Sequence, residues 1–310
     1  MEGKNLILAI SLSALVLIMW SIFFVPPPPT IDKKQNKIEK IQEKNDISSP
    51  SIETTKKIKT VSRAKSLKTT KRIPVENENI IGSISLTGGI VDDIIFKNYT
   101  QNINSEEKVI LLSPNGLDEG YYIETGWAST NKNIDLPNNK TEWSTVGNSK
   151  LTPNNPVTLK WTNDKQITFL KTIELDEKFL FKVKQQIKND GNNKYDFYPY
   201  AQIVRDKKPK VLGYYILHEG FIGVFDEELK EEDYKDIEEK KFTANSYSGW
   251  LGITDKYWIT AIVPEKNRNF KSEFIYDKNY RANFIQTEPI QSSPNQTISS
   301  EIRVFTAAKE

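Results

Sequence analysis

The chain has no cysteine and a single histidine, His218. These absences exclude disulfide frameworks, Cys/His zinc centres, thiol nucleophiles and any site that needs two histidines. Glycine-rich phosphate loops, dinucleotide fingerprints, EF-hand loops and nucleophile elbows are missing as well, as is any internal repeat. No phosphate cradle, calcium loop or activated serine is therefore specified. An excess of charge of one sign is also lacking, since 43 Lys and Arg face 41 Asp and Glu. A globally basic nucleic-acid binder is not supported. The balance conceals a polarity: residues 30–72 carry 13 basic and 5 acidic side chains, and residues 73–310 carry 29 and 35. The lack of cysteine does not name a compartment, because a large domain is stable without disulfides in an oxidising space too.

What is present begins with an apolar run. Leu6 to Val25 are 20 residues without a charge, and a helix of that length spans about 30 Å, the hydrocarbon thickness of a bilayer. Thirteen of them are Leu, Ile, Val or Phe, each contributing roughly −0.3 to −0.6 kcal/mol to insertion. A cleaved signal peptide has a shorter apolar region and small residues at its exit, whereas Phe23, Phe24 and Val25 stand here. Residues 1–25 are expected to be an uncleaved transmembrane anchor with boundaries at Leu6 and Val25. Trp20 suits the far headgroup level, with packing as the alternative. Lys33, Lys34, Lys37, Lys40 and Lys44 follow the run and only Lys4 precedes it. Taken literally, the positive-inside rule puts the C-terminal part in the cytoplasm, yet long domains translocate largely regardless of charge. Composition leaves the orientation open.

Pro26 to Pro29 end the helix and start an extended spacer. Residues 30–79 are rich in Lys, Ser, Thr, Asn and Gln and contain no aromatic residue, so they lack the apolar area that ordering requires. Residues 26–79 are expected to be a tether, either solvated or attracted to anionic headgroups. From residue 80 to 310 aromatics are frequent and apolar residues alternate with a period of two. Phe179, Phe181, Val183, Gln185 and Ile187 alternate with Leu180, Lys182, Lys184, Gln186 and Lys188. Ile84 and Leu86, Tyr280, Ala282 and Phe284, and Ile302 and Val304 repeat the pattern. Turn signals stand at Ser113–Gly116, Leu136–Asn139, Thr152–Pro156 and Asn189–Gly191. The spacing predicts a mainly β domain of the sandwich class, with one short exposed helix over Glu227–Lys241.

Chemistry-bearing residues are few. His218 lies among aromatics in Gly213–Gly220 with no serine beside it, and a structural role is the expectation. Asp92-Asp93, Glu219 and the cluster Glu227, Glu228, Glu231, Glu232 and Asp233 are candidate carboxylate pairs. With 41 acidic residues, accidental pairs are assured, and solvated acidic surface is the simpler reading. Gly249–Trp258 combines close glycines with Trp250 and Trp258, which suggests tight turns beneath large side chains. These tryptophans, with Trp127, Trp143 and Trp161 near strand ends, serve either core packing or a groove. No catalytic residue, metal ligand or cofactor is expected.

Five ordered blocks carry a resemblance: GSISLTGG at Gly82–Gly89, VILLSPNG at Val109–Gly116, GYYILHEG at Gly213–Gly220, GWLGITDKYW at Gly249–Trp258 and FTAAKE at Phe305–Glu310. Together with the apolar N-terminal run, they resemble the N-terminal part of the YidC membrane protein insertase family in its Gram-negative form. The resemblance implies a β-supersandwich like that of galactose mutarotases over residues 80–310, in the periplasm, behind an inner-membrane anchor with a cytoplasmic N-terminus. It marks Gly213, Tyr214, Tyr215, His218, Glu219, Gly220, Gly249, Trp250, Gly252, Asp255, Lys256 and Trp258 as family motif positions. It also implies a chaperone-like role in protein transport. The partners would be nascent inner-membrane proteins, the Sec translocon components SecYEG and SecDF, and the lipid bilayer, with no nucleic acid. In that family five more transmembrane helices follow the position of Lys309-Glu310, and they are not in this sequence. Alternative readings are a membrane-anchored periplasmic β scaffold and a mutarotase-like carbohydrate-binding protein. The second is disfavoured because that family pairs histidines and this chain has one.

Overall fold

Alternation at a period of two gives each strand one apolar face, and stacking two sheets hides both apolar faces at once. The computed structural model describes residues 62–209 and 218–309, and in these residues two antiparallel sheets are stacked in that way. The first has ten strands in the order β1 (Arg72–Glu76), β2 (Ile80–Ser85), β3 (Ile90–Thr100), β5 (Tyr121–Ser129), β10 (Tyr195–Arg205), β17 (Asn279–Gln286), β16 (Phe270–Asp277) and β13 (Phe242–Ser246). To these are added β4 (Lys108–Leu112) on β3 and β18 (Ile290–Ser292) on β10. The second has nine: β12 (Glu228–Asp233), β11 (Gly220–Phe225), β14 (Gly249–Thr254), β15 (Trp258–Val263), β19 (Gln296–Ala308), β9 (Leu180–Asn189), β8 (Ile167–Leu175), β7 (Val157–Thr162) and β6 (Ser144–Val146). Two short helices, α1 (Arg63–Ser66) and α2 (Tyr234–Glu239), complete the described elements. The expected anchor, with its boundaries at Leu6 and Val25, and the first part of the expected tether lie outside the described residues. Among those described, no helix is long and apolar enough to cross a membrane.

The expected strand patterns are present. In β9, Phe181, Val183, Gln185 and Ile187 are buried while Lys184 and Lys188 are exposed. Ile84, Leu86, Ala282, Phe284, Ile302 and Val304 are likewise buried. All four turn signals fall at the end of a strand or between strands. Aromatic rings close the space between the sheets. Phe169 of β8 meets Phe197 of β10 edge-on at 6.1 Å, Phe221 of β11 lies 5.1 Å from Phe274 of β16, and Phe96 of β3 lies 5.8 Å from Phe179.

The structure corrects two expectations. The folded region starts at β1, before the expected boundary at residue 80, because Ile73 and Val75 are buried and every residue from Arg72 to Glu76 pairs with β2. Two apolar side chains suffice there, since the neighbouring strand provides the rest of the core. Pro74 is tolerated because β1 is an edge strand. The helix expected over Glu227–Lys241 is confined to Tyr234–Glu239. Asp226 and Glu227 take φ values of +48° and +74°, a tight hairpin turn that folds Glu228–Asp233 back along β11. Pairing with a neighbour outweighs the helical preference of a Glu- and Lys-rich segment, and only the turn carrying the buried Tyr234 and Ile237, three residues apart on one face, remains helical.

Phe197 has no exposed surface and touches Trp127, Phe169 and Tyr195. Phe197→Ala is expected to cost about 3–5 kcal/mol of stability, read as a lower urea midpoint. An unchanged midpoint would show that the two sheets do not depend on this cluster.

Candidate docking site

Several of the positions that the resemblance marks are brought together because four strands of the second sheet lie side by side in the order β11, β14, β15, β19. Gly220 pairs with Thr254, Gly252 with Ala261, and Trp258 with Ala308. His218–Gly220, Asp255–Trp258 and Ala308 thus meet at one end of the sheet, whereas Gly249 and Trp250 pair with Phe225 and Val224 at its other end; Gly213, Tyr214 and Tyr215 lie outside the described residues. The glycines are demanded by the close approach of neighbouring chains. Gly249 has φ +135°, and a Cβ there would stand 1.8 Å from the Val224 carbonyl oxygen; at Gly252 it would stand 2.3 Å from that of Thr260. Trp250 is half-buried between them in sequence.

The turn after β14 is held by polar contacts. Asp255 donates its N–H to the Trp258 carbonyl at 2.8 Å, and Glu219 Oε1 accepts the Lys256 N–H at 3.2 Å. Arg205 of the opposite sheet donates through Nη1 to Asp255 Oδ1 at 2.7 Å and to Tyr234 Oη at 3.2 Å, with its guanidinium 4.5 Å over the Tyr121 ring. This ion pair is largely shielded, which makes it a clamp between the sheets at this end. His218 donates through Nε2 to the Phe221 carbonyl at 2.7 Å, and its Nδ1 lies 3.5 Å from Asp233 Oδ1. That geometry pins the start of β11.

Beside the turn lies an open groove of about 1030 Å³ between the Asn98–Asn104 connection, Ile110, Tyr257, Trp258 and Lys309. Trp258 serves both packing and groove: its ring is 5.0 Å from Phe96 and 5.2 Å from Tyr99, and it also lines the concavity. Trp127 and Trp143 are instead buried, and Trp161 packs on Phe169 at 5.6 Å. As expected, all three stand near strand ends: Trp127 is third from the end of β5, Trp161 second from the end of β7, and Trp143 directly precedes β6.

A second polar cluster lies between the sheets. Lys171 stands in the inward row of β8 with Ile167, Phe169, Ile173 and Leu175, and its Nζ donates to the Gly89 and Thr125 carbonyls of the facing sheet at 3.0 and 2.8 Å. Burial pushes this ammonium down to about 8, with the Glu124 carboxylate opposing. Glu124 in turn accepts from Tyr200 Oη at 2.7 Å and from Gln202 Nε2 at 3.0 Å. The cavity among Glu124, Gln185, Trp143 and Tyr200 measures about 10 Å³, room for about one water molecule. The Lys171 bonds stitch sheet to sheet, while those of Glu124 join β5 to β10 within the first sheet, and the cavity leaves no space for a larger ligand. A lysine in an otherwise apolar inward row was the signal that sequence reasoning passed over.

The Asp92-Asp93 pair is not solvated surface. Both residues are buried in β3 and bound by arginines, Asp92 by Arg72 and Asp93 by Arg63, and Asp93 also accepts from Ser83 Oγ at 2.6 Å. Burial pushes the Asp92 carboxyl up to about 6 against the pull of Arg72. Glu227, Glu228, Glu231 and Asp233, by contrast, are exposed on the β11–β12 hairpin and its end. Among the described residues, no group of three or more His, Asp or Glu side chains is arranged to hold a metal ion.

Residues 72–310 match the family model of the YidC periplasmic domain. The chain belongs to that family. A curated relative from Pelagibacter ubique, named membrane protein insertase YidC, is 48% identical over 312 residues, covering all of this chain and 55% of that protein. A relative of the same name from Bradyrhizobium diazoefficiens is 33% identical over 335 residues, covering all of this chain and 54% of that protein. The chain therefore spans about half the length of the curated relatives it matches. A solved GalM/aldose epimerase homologue from C. elegans superimposes with a TM-score of 0.50 at 9% identity, covering 78% of this chain and 100% of that one. The likeness shows that the YidC periplasmic domain here has the galactose mutarotase-like sandwich. It carries no catalytic activity with it, and the YidC relatives are insertases rather than enzymes.

Within this YidC domain, Lys171 makes stability depend on pH in a stated direction. Because its folded value, about 8, is below the ordinary 10.5, the folded chain binds fewer protons there than the unfolded chain between those values, and stability rises with pH across that window. Below about 8 the buried charge is a standing cost. The stability of Lys171→Met relative to the parent should therefore fall as pH rises from 8 to 10, measured as the difference in urea midpoints. A difference independent of pH would mean that the ammonium is not desolvated.

Proposed function

We propose that the chain supplies the membrane anchor and an accessory periplasmic binding domain of a membrane protein insertase. In this role it helps nascent inner-membrane proteins insert, fold and assemble, with or without the Sec translocon. The observation that carries the reading is the 48% identity to a named insertase over the full chain. Residues 1–25 anchor the chain in the inner membrane with the N-terminus in the cytoplasm, residues 26–71 tether it, and the sandwich from Arg72 onward lies in the periplasm. The family description supports that side for the domain, against the literal charge count. SecYEG and SecDF are the proposed translocon partners.

The division of labour has a physical basis. Moving a nascent helix from water into lipid requires a membrane-embedded path that shelters its polar groups. The run from Leu6 to Val25 has no ionisable side chain and offers no such path, so the insertion step belongs to the part of the longer relatives that these 310 residues do not span. The sandwich contributes binding surface.

In cells depleted of their insertase, residues 1–310 alone should fail to restore growth, and the same residues joined to the remainder of a YidC relative should restore it. Rescue by residues 1–310 alone would refute the assignment. Protease added to spheroplasts should trim the protein to a small N-terminal remnant; protection until lysis would reverse the topology. His218→Ala in the joined protein should keep activity, in line with the backbone hydrogen bond that occupies its Nε2.

A further inference from the structure

Isolated exposed apolar side chains need no explanation, but a set around one concavity does. Ile103, in the β3–β4 connection, is 100% exposed, and Ile110 and Tyr257 are 39% and 54% exposed. All three border the groove that Tyr99, Trp258 and Lys309 also line. The side-chain types narrow the occupant. Tyrosine and tryptophan favour the level where headgroups meet hydrocarbon, because an apolar ring then sits beside a wet polar edge. Lysines at such a rim lay their stems on apolar surface and keep their ammonium groups in water; the Lys256 ammonium lies 4.8 Å over the Tyr257 ring, and Lys309 is exposed at the rim.

We propose that this rim docks onto a bilayer surface, with Ile103 entering the acyl boundary and Tyr257 at headgroup depth. The inference rests on the anchored reading above and deepens it. If Leu6–Val25 span the membrane, 36 residues separate Val25 from Ser62, a stretch that spans at most about 130 Å even fully extended. The domain is thereby kept at high effective concentration beside the bilayer, so a few inserted side chains hold it there. Glu106, Glu107 and Glu119 also stand near this end. They oppose attraction to anionic lipid, so insertion is apolar in origin and occurs on zwitterionic membranes.

The absence of cysteine makes the test direct. The full chain carrying Ile103→Cys, labelled with the environment-sensitive fluorophore NBD, is reconstituted into phosphatidylcholine vesicles and floated. Leu229→Cys is the control: Leu229 is 54% exposed at the turn where Phe225 faces Glu228, the opposite end of β11 from Gly220 and Thr254. The expected result is that the protein floats, the probe at position 103 shifts to the blue and is quenched by nitroxide-bearing phosphatidylcholine, and the probe at position 229 does neither. Tyr257→Ala combined with Ile110→Asp should reduce the quenching at 103. A floating protein whose probe at 103 stays water-like overturns the docking and leaves the anchor standing. A blue shift without quenching by lipid overturns it too, because protein then covers the rim. Protein that does not float overturns both readings.

Discussion

Burial of one aromatic row against another across two antiparallel sheets is the constraint on which the rest of this domain depends. Phe169, Phe181, Phe197, Phe221 and Phe274 are all buried to within 1%, and each large ring shields far more apolar area than the short β turns could offer. Once the sheets are apposed, every polar group between them needs a partner, since an unsatisfied buried group costs about 1–3 kcal/mol. The interior contacts answer that need. Lys171 reaches two carbonyls of the facing sheet, Asn77 donates to the Asp176 and Lys178 carbonyls, and Arg205 meets Asp255. Each joins one sheet to the other. They fix how the sheets lie on one another, which apolar contacts alone leave adaptable.

Strand order places His218–Gly220, Asp255–Trp258 and Ala308, three distant segments, at one end of the second sheet. Gly252 lets the β14 and β15 backbones approach, Asp255 and Glu219 hold the turn, and Trp258 spans core and groove. The outcome is an exposed concavity walled by rings and amide groups. Such a surface suits recognition of a partner or a membrane. Asp255, Glu219 and His218 are engaged at this end with arginine and backbone groups.

Much of the sandwich was legible in the sequence, because a one-sided strand must alternate and β9 alternates over its whole length. The exceptions have local explanations. Glu228–Asp233 reads as helix by residue type, but the left-handed pair Asp226-Glu227 turns it back onto β11. Ile73 and Val75 look too sparse for a strand until β2 is beside them. Asp92 and Asp93 look like surface acids because their partners, Arg72 and Arg63, are 20 and 30 residues away. Trp143 and Trp258 are the same residue type, and nothing local says that the first is interior and the second borders a groove.

The sequence by itself determined the uncharged run at the N-terminus, the β period, the turn positions and the family resemblance carried by five ordered blocks. These are properties of short segments, set by side-chain type, spacing and the limited conformations of Gly and Pro. Tertiary structure alone decided which strands are neighbours, that Lys171 is enclosed between the sheets, that Arg205 finds Asp255, and that Ile103, Ile110 and Tyr257 share one rim. Those outcomes arise from long-range pairing. The free energy of a contact between residues 50 or more apart depends on what every intervening strand has buried, and that quantity is written in no single segment.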